Sequence, residues 1–154
     1  MLMLDLEPIF QAEAEYERAM VRFDERVRRG LQTALDESVR EGVNTRHYKD
    51  ETGLLTSRIK GFVEISTPGA AEGILGAFTD YASFVNSGTL PHEIHGNPFL
   101  TFKARDGSWV TTRMVHHPGT KPDGFMFRAF LKTEKILLRE VEVATAELQR
   151  LLDG

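Results

Sequence analysis

Apolar residues stand at Ile9, Tyr16, Met20, Phe23, Val27, Leu31 and Ala34, in steps of three or four except across Glu13. That spacing is one face of an α-helix, and it predicts a single long helix over about residues 6–41 with a narrow apolar stripe. Asp24, Glu25, Arg28 and Arg29 fall on the opposite side and are expected to face water. Asp24 with Arg28, Glu25 with Arg29 and Asp36 with Arg40 are spaced four apart, where each pair adds a few tenths of a kcal/mol. About 35 helical residues at ~1.5 Å each extend ~50 Å, more than the rest of so small a domain is expected to cover. Part of the helix is therefore expected to meet a neighbouring copy. A lone interior glycine costs only about 1 kcal/mol, and the competing reading breaks the helix at Gly30 into two segments of a monomeric bundle.

Residues 42–50 are polar and irregular and predict a loop; residues 52–57 look like a short helical turn leading into a strand. Phe62, Val63, Ile65 and Thr67 carry that strand, Pro68-Gly69 ends it, and residues 74–78 form the next. Thr79 or Asp80 is placed to cap a brief helix through Tyr81, Phe84 and Val85, which Gly88 stops. Asp106-Gly107, between residues 99–105 and 108–116, supplies the positive φ of a two-residue hairpin turn. That turn pairs Ala104 with Trp109, Lys103 with Val110, Phe102 with Thr111 and Thr101 with Thr112, and leaves apolar groups on both faces. Pro118-Gly119 and Pro122-Asp123-Gly124 bound another turn. Beyond it Met126, Phe130, Leu137, Val141, Ala144, Leu148 and Leu151 mark a second long amphipathic helix, over 124–153. Two long helices bracketing a mainly antiparallel sheet make an α+β fold, and no repeat, low-complexity tract or linker divides residues 1–154 into more than one domain.

Composition narrows the function classes. A chain of 154 residues hides roughly 68–70% of its unfolded surface and needs no staples. The absence of cysteine removes a thiol nucleophile, a disulfide framework and thiolate zinc sites. A net charge of −4 argues against a broadly basic nucleic-acid surface. Residues 1–7 lack the basic start and apolar run of a secretion signal, and no segment approaches the ~20 apolar residues of a membrane span, so the chain reads as soluble and unprocessed.

Four histidines invite a metal reading, in which His92 and His95 with Glu93 join His116 or His117 around zinc, giving a small metal-dependent hydrolase. The spacing is not His-Glu-x-x-His, and Pro91 and Gly96 make a long helix there improbable, so these side chains are expected in a partly exposed loop. Ser57, Ser83 and Ser87 lie in no Gly-x-Ser-x-Gly elbow. Asp50 and Glu51 are adjacent and diverge in either a helix or a strand, so they are expected to be solvated loop charges. Lys121, Arg128, Lys132 and Lys135 read as a solvated helix face; turned towards a DNA channel, they would touch phosphates without reading bases. No nucleophile has a base, no carboxylates pair, and no glycine-rich loop leads into a helix. The expectation is a protein that assembles and does not catalyse, with no cofactor; a stand-alone host interaction module is the other non-enzymatic reading.

One resemblance sharpens this. Tyr81-Ala82-x-x-Val85-x-x-Gly88-Thr89, then a hairpin, then His117-Pro118-Gly119-Thr120-Lys121-Pro122 with Phe125-Met126 and Ala129, resembles the small neck or tail-completion proteins of long-tailed bacteriophages. These are the head–tail joining or minor tail components. Thr52-Gly53-Leu54-x-x-Ser57-x-Ile59 fits the same pattern, so the likeness runs in order over residues 50–129. It implies a structural virion protein made in the bacterial host cytoplasm, acting as a ring of copies, six by expectation, between the head connector and the tail tube. The implied partners are other neck proteins and the tail tube or terminator, with genomic DNA passing the lumen without sequence-specific binding, and no membrane. On this reading Tyr81, Phe84 and Val85 pack the short helix, and Gly88 and Thr89 set the direction of the loop after it. Pro118-Gly119 aims the loop holding His116, His117 and Thr120 at a neighbour or at another neck protein, and Phe125 belongs to the same set.

Overall fold

A computed structural model describes residues 6–64 and 69–153. The order is α1 (Glu7–Asn44), α2 (Leu54–Ser57), β1 (Ile59–Glu64), β2 (Glu72–Ala77), α3 (Ala82–Ser87), β3 (His92–Lys103), β4 (Trp109–His117) and α4 (Phe125–Asp153). The fold is α+β, with its strands in two separate antiparallel ribbons, β1–β2 and β3–β4. The chain forms two compact units: one runs up to Thr79 and resumes at Phe125, and the other spans Asp80 to Gly124. Ile65, Thr67 and Pro68, where β1 was expected to end, lie outside the described residues.

In the first unit α1 is unbroken through Gly30, because the position is used for close approach: a Cβ there would stand 2.7 Å from that of Glu140. The α1–α4 contact is antiparallel, as Arg128 reaches Thr45, Thr133 reaches Ser38, and Glu140 and Glu147 reach Arg26. Small residues line it. Ala34 and Ala129 are fully buried, and a Cβ on Gly42 would already sit 3.3 Å from that of Ala129. Ser38, also fully buried, donates to Ala34 O (2.6 Å) and accepts from the Thr133 hydroxyl (2.7 Å), so its polarity is satisfied. No basic residue lies in the last turn of α1. Arg128 of α4 supplies the cation instead, donating to Thr45 O at 2.7 Å and Thr45 Oγ1 at 3.0 Å, where the helix dipole is negative.

The β1–β2 ribbon packs on α1, pinned by Gln32, whose amide accepts from Val63 N–H and donates to Gly61 O. Leu31, Leu35, Leu55, Ile59, Phe125 and Ile136 complete the core. The first buried residue along α1 is Ala19; the turns before it, with Ile9, Phe10 and Tyr16, run past the contact with α4 and are exposed.

Several charges settle differently from the helical spacing. Arg40 pairs with Glu37 (2.7 Å) instead of Asp36, which accepts from Gln32, and Asp24 accepts the N–H of Gly69 rather than facing only water. The apolar stripe expected on α4 is met in part. Ala144 of it is buried and Met126, Leu137 and Leu148 are half-buried, whereas Phe130, Val141 and Leu151 are exposed and Phe125, Ala129 and Ile136 are buried instead. Ala129 and Ala144 permit the close approach of α1, and Phe125 and Ile136 are buried on the same helix.

Arg26 and Glu140 form the best-shielded ion pair described, at 2.9 Å with 23% and 12% of their side chains exposed. The Arg26 hydrogen bond, then that of Arg139, holds the Glu140 carboxyl below the usual carboxylate range. A depressed folded-state value means that the pair's contribution is complete above the ordinary glutamate range, near about 4.3, and is lost as pH falls through the folded value. Glu140→Gln is therefore expected to lower the urea midpoint at pH 7, with the deficit closing towards pH 3. No deficit at pH 7 would show that packing over Gly30, which glutamine preserves, and not charge is what the side chain provides.

Candidate functional site

In the second unit the segment ending at Gly88-Thr89 meets the one holding Gly119-Thr120. Thr89 and Thr120 form an isolated antiparallel bridge, each N–H donating to the other's carbonyl at 3.1 Å. Their hydroxyls lie 3.2 Å apart, and Thr89 Oγ1 also accepts from Thr120 N–H. A glycine precedes each threonine. Gly88 has φ 72° and Gly119 φ 82°, and a Cβ on either would fall 2.4 Å from Thr120 O or 2.3 Å from Thr89 O respectively. Both glycines are needed twice, for positive φ and for backbone-to-backbone approach. Below the bridge, Asp123 N–H donates to Val85 O and Gly124 N–H to Asn86 O, so the loop after residue 117 satisfies the last carbonyls of α3.

α3 itself is six residues long with Tyr81 as N-cap and no side-chain cap, so neither Thr79 nor Asp80 has the expected capping role. Tyr81 and Phe84 are exposed and Val85 is half-buried. Pro118 and Thr120 are exposed, and Gly119 N–H donates to His117 Nδ1 (3.1 Å), which puts the proton of neutral His117 on Nε2.

The histidine segment is strand, not loop. β3 begins at His92 and pairs His92 with His117, Glu93 with His116, Ile94 with Val115 and His95 with Met114. Pro91, Gly96 and Pro98 read as breakers. A strand with one partner, however, has a free edge that tolerates proline, and a register shift between His95 and Leu100 absorbs the Gly96-to-Pro98 piece. Strand alternation puts His92 and His117 on one face, with rings 5.0 Å apart, and Glu93, His95 and His116 on the other. There Glu93 lies 3.2 Å from His95 and 3.7 Å from His116. Among the described residues no group of three His, Cys, Asp or Glu is placed to hold a metal ion.

The hairpin register also differs from the two-residue expectation. Lys103 pairs with Trp109, Phe102 with Val110, Thr101 with Thr111 and Leu100 with Thr112. Gly107 N–H donates to Ala104 O, and Ala104 N–H to Ser108 O, so the loop is Arg105-Asp106-Gly107, a turn closed by a glycine at φ 89°. Asp106 holds it by accepting from both the N–H and the hydroxyl of Ser108, and those bonds keep its carboxyl below the usual range. One added loop residue reverses which side chains share a face.

No protein-family model, curated protein or solved structure matches the chain.

Phe125 separates from the other named positions. It lies in the first unit with no exposed surface, its ring edge-on to Tyr48 at 5.2 Å, so it is a core residue and not a contact residue. The basic patch divides too: Arg128 is committed to the end of α1, while Lys132 is half-buried and Lys135 exposed. Asp50 accepts Thr56 N–H and Glu51 pairs with Lys49, so both carboxylates have local partners. Ser57 donates to Leu54 O. Sequence reasoning passed over Leu90, Phe99 and Trp109, which are 84%, 52% and 73% exposed. The available signal was bulky apolar residues beside turn formers on a hairpin with apolar groups on both faces.

Among the described residues, no helix is long and apolar enough to cross a membrane.

Proposed function

We propose that this chain is a structural virion protein of the bacteriophage neck, forming or joining a ring between head connector and tail tube. The observation that carries the reading is the β3–β4 ribbon. Along its twelve-residue strand only Gly96 and Leu100 are even half-buried, and Ile94, Phe99, Phe102, Trp109 and Met114 are all exposed. A two-stranded ribbon is marginal in water unless its apolar face is covered, and both its edges offer unpaired backbone groups. Such a surface favours a protein completed by neighbours. The bacteriophage-like segments support the same reading, because Gly88, Thr89, Gly119 and Thr120 serve backbone geometry and present no reacting group. In a ring each copy shows one patch to the copy before it and a different one to the copy after it, and the rotation must close.

Deleting the gene from the virus that encodes it is expected to leave filled heads and finished tails unjoined, with electron microscopy as the readout. The purified protein, alone or mixed with the head connector, is expected to give closed rings, of about six copies if the bacteriophage resemblance holds. Normal particles from the deletion would end the proposal.

A further inference from the structure

The first unit carries a second uncovered surface that the neck reading does not specify. Phe127, Phe130, Leu131, Leu138 and Val141 recur along α4 in helical steps, opposite the side that packs on α1, and are 39 to 64% exposed. α4 is thus apolar on two sides, with one partner described. On one flank of the outer stripe stand Lys132, Lys135 and Arg139, at spacings of three and four; Arg139 also bonds Glu140 at 3.2 Å, and one acid, Glu134, lies within the stripe between Leu131 and Leu138. The early turns of α1 are the complement. Ile9, Phe10 and Tyr16 are 54 to 61% exposed, and the charged residues between Glu7 and Glu17 are all acidic, Glu7, Glu13, Glu15 and Glu17, with no cation before Arg18.

We infer that the overhanging, acidic first turns of α1 in one copy dock on the outer, basic-flanked apolar stripe of α4 in the next. Within one molecule the two surfaces do not meet. Glu140, half a turn from Leu138, sits over Gly30, which lies 21 residues and so ~30 Å along α1 from Ile9. A second copy supplies both halves of the contact with matching charge. The contact is heterologous, because the patch each copy offers differs from the one it receives, so repetition builds a ring or an open filament. Apolar stripes laid together with acids against bases repeat the recognition of an amphipathic helix in a groove. This deepens the ring proposal and rests on it only for closure; the docking itself depends on nothing in the second unit.

The absence of cysteine makes the test clean, since only introduced thiols react. Full-length Ile9→Cys and Leu138→Cys proteins, each checked for unchanged helical circular dichroism, are mixed with a short bismaleimide linker. Light scattering of untreated protein is recorded in parallel. The mixture is expected to give a linked pair of chains that neither protein gives alone, and the double variant a ladder of linked oligomers. Glu13→Lys with Glu17→Lys, or Lys132→Glu with Lys135→Glu, should cut the linked yield about tenfold at low salt, and mixing the two reversed proteins should restore it. Linkage of Ile9→Cys to itself would mean an isologous contact and overturn the inference. Oligomers by light scattering without the mixed link would overturn this contact and leave ring formation standing; monomer at every concentration would overturn the contact and count against self-assembly as well.

Discussion

Replacing Gly119 with valine is expected to unfold the second unit's loop bridge while leaving the helical circular dichroism nearly intact. The backbone at Gly119 has φ 82°, a region where a β-branched residue is strained by about 1–3 kcal/mol. The new Cβ would lie 2.3 Å from Thr89 O, so the Thr89–Thr120 bridge must open. Its two backbone hydrogen bonds contribute about 1 kcal/mol each, which brings the expected loss to roughly 3–5 kcal/mol. The long helices α1 and α4 both belong to the other unit, which is why far-ultraviolet ellipticity should barely change. Amide exchange at Thr89 and Thr120 should accelerate steeply, and assembly into particles should fail with it. Thr89→Val is the milder control, since it removes the hydroxyl pair but keeps both backbone bonds. Protected amides in Gly119→Val would mean that the bridge does not open, and accelerated exchange with full infectivity would mean that assembly does not need it.

Phe125→Ala is expected to have the opposite signature, a global loss of the first unit. A fully buried phenylalanine at the start of α4, edge-on to Tyr48, leaves a cavity that a small helical unit fills poorly. Such truncations cost about 3–5 kcal/mol, which lowers Tm by roughly 10 °C or more for a chain of this size. Phe125→Leu should recover more than half of that. The pair of variants tests the core role, because a contact residue at a subunit boundary would weaken assembly with Tm unchanged.

The two long helices were legible in the sequence because their periodicity repeats over many turns, and their boundaries follow from it to within a few residues. The hairpin was legible in place but not in register. Asp-Gly suits both a two-residue loop and the three-residue one observed, and the choice rests on Asp106 holding the Ser108 N–H and hydroxyl. The face of α4 that packs was not legible, since the helix carries apolar residues on two sides. Its buried side is built partly from Ala129 and Ala144, whose small apolar area gives a weak signal although their size is what permits the approach of α1. Gly30 misleads in the same way, reading as a weak point of a helix when it is the seat of Glu140. The strand at His92 was hidden by Pro91, Gly96 and Pro98, because nothing local announces that a strand has a free edge.

Of the candidate assembly positions, the sequence marked the paired Gly-Thr steps as special without indicating that they touch. Residues 89 and 120 are brought together by the β3–β4 hairpin between them, and pairing across that distance depends on the register of the whole ribbon. By itself, then, the chain determined where its helices run and where it turns, since these follow from local spacing and side-chain chemistry. Only the tertiary structure decided which helix face is buried, that Phe125 belongs to a core, that two glycines guard one bridge, and which apolar surfaces are left uncovered. Those outcomes depend on shape fit between segments far apart in the chain, and local patterns do not record it.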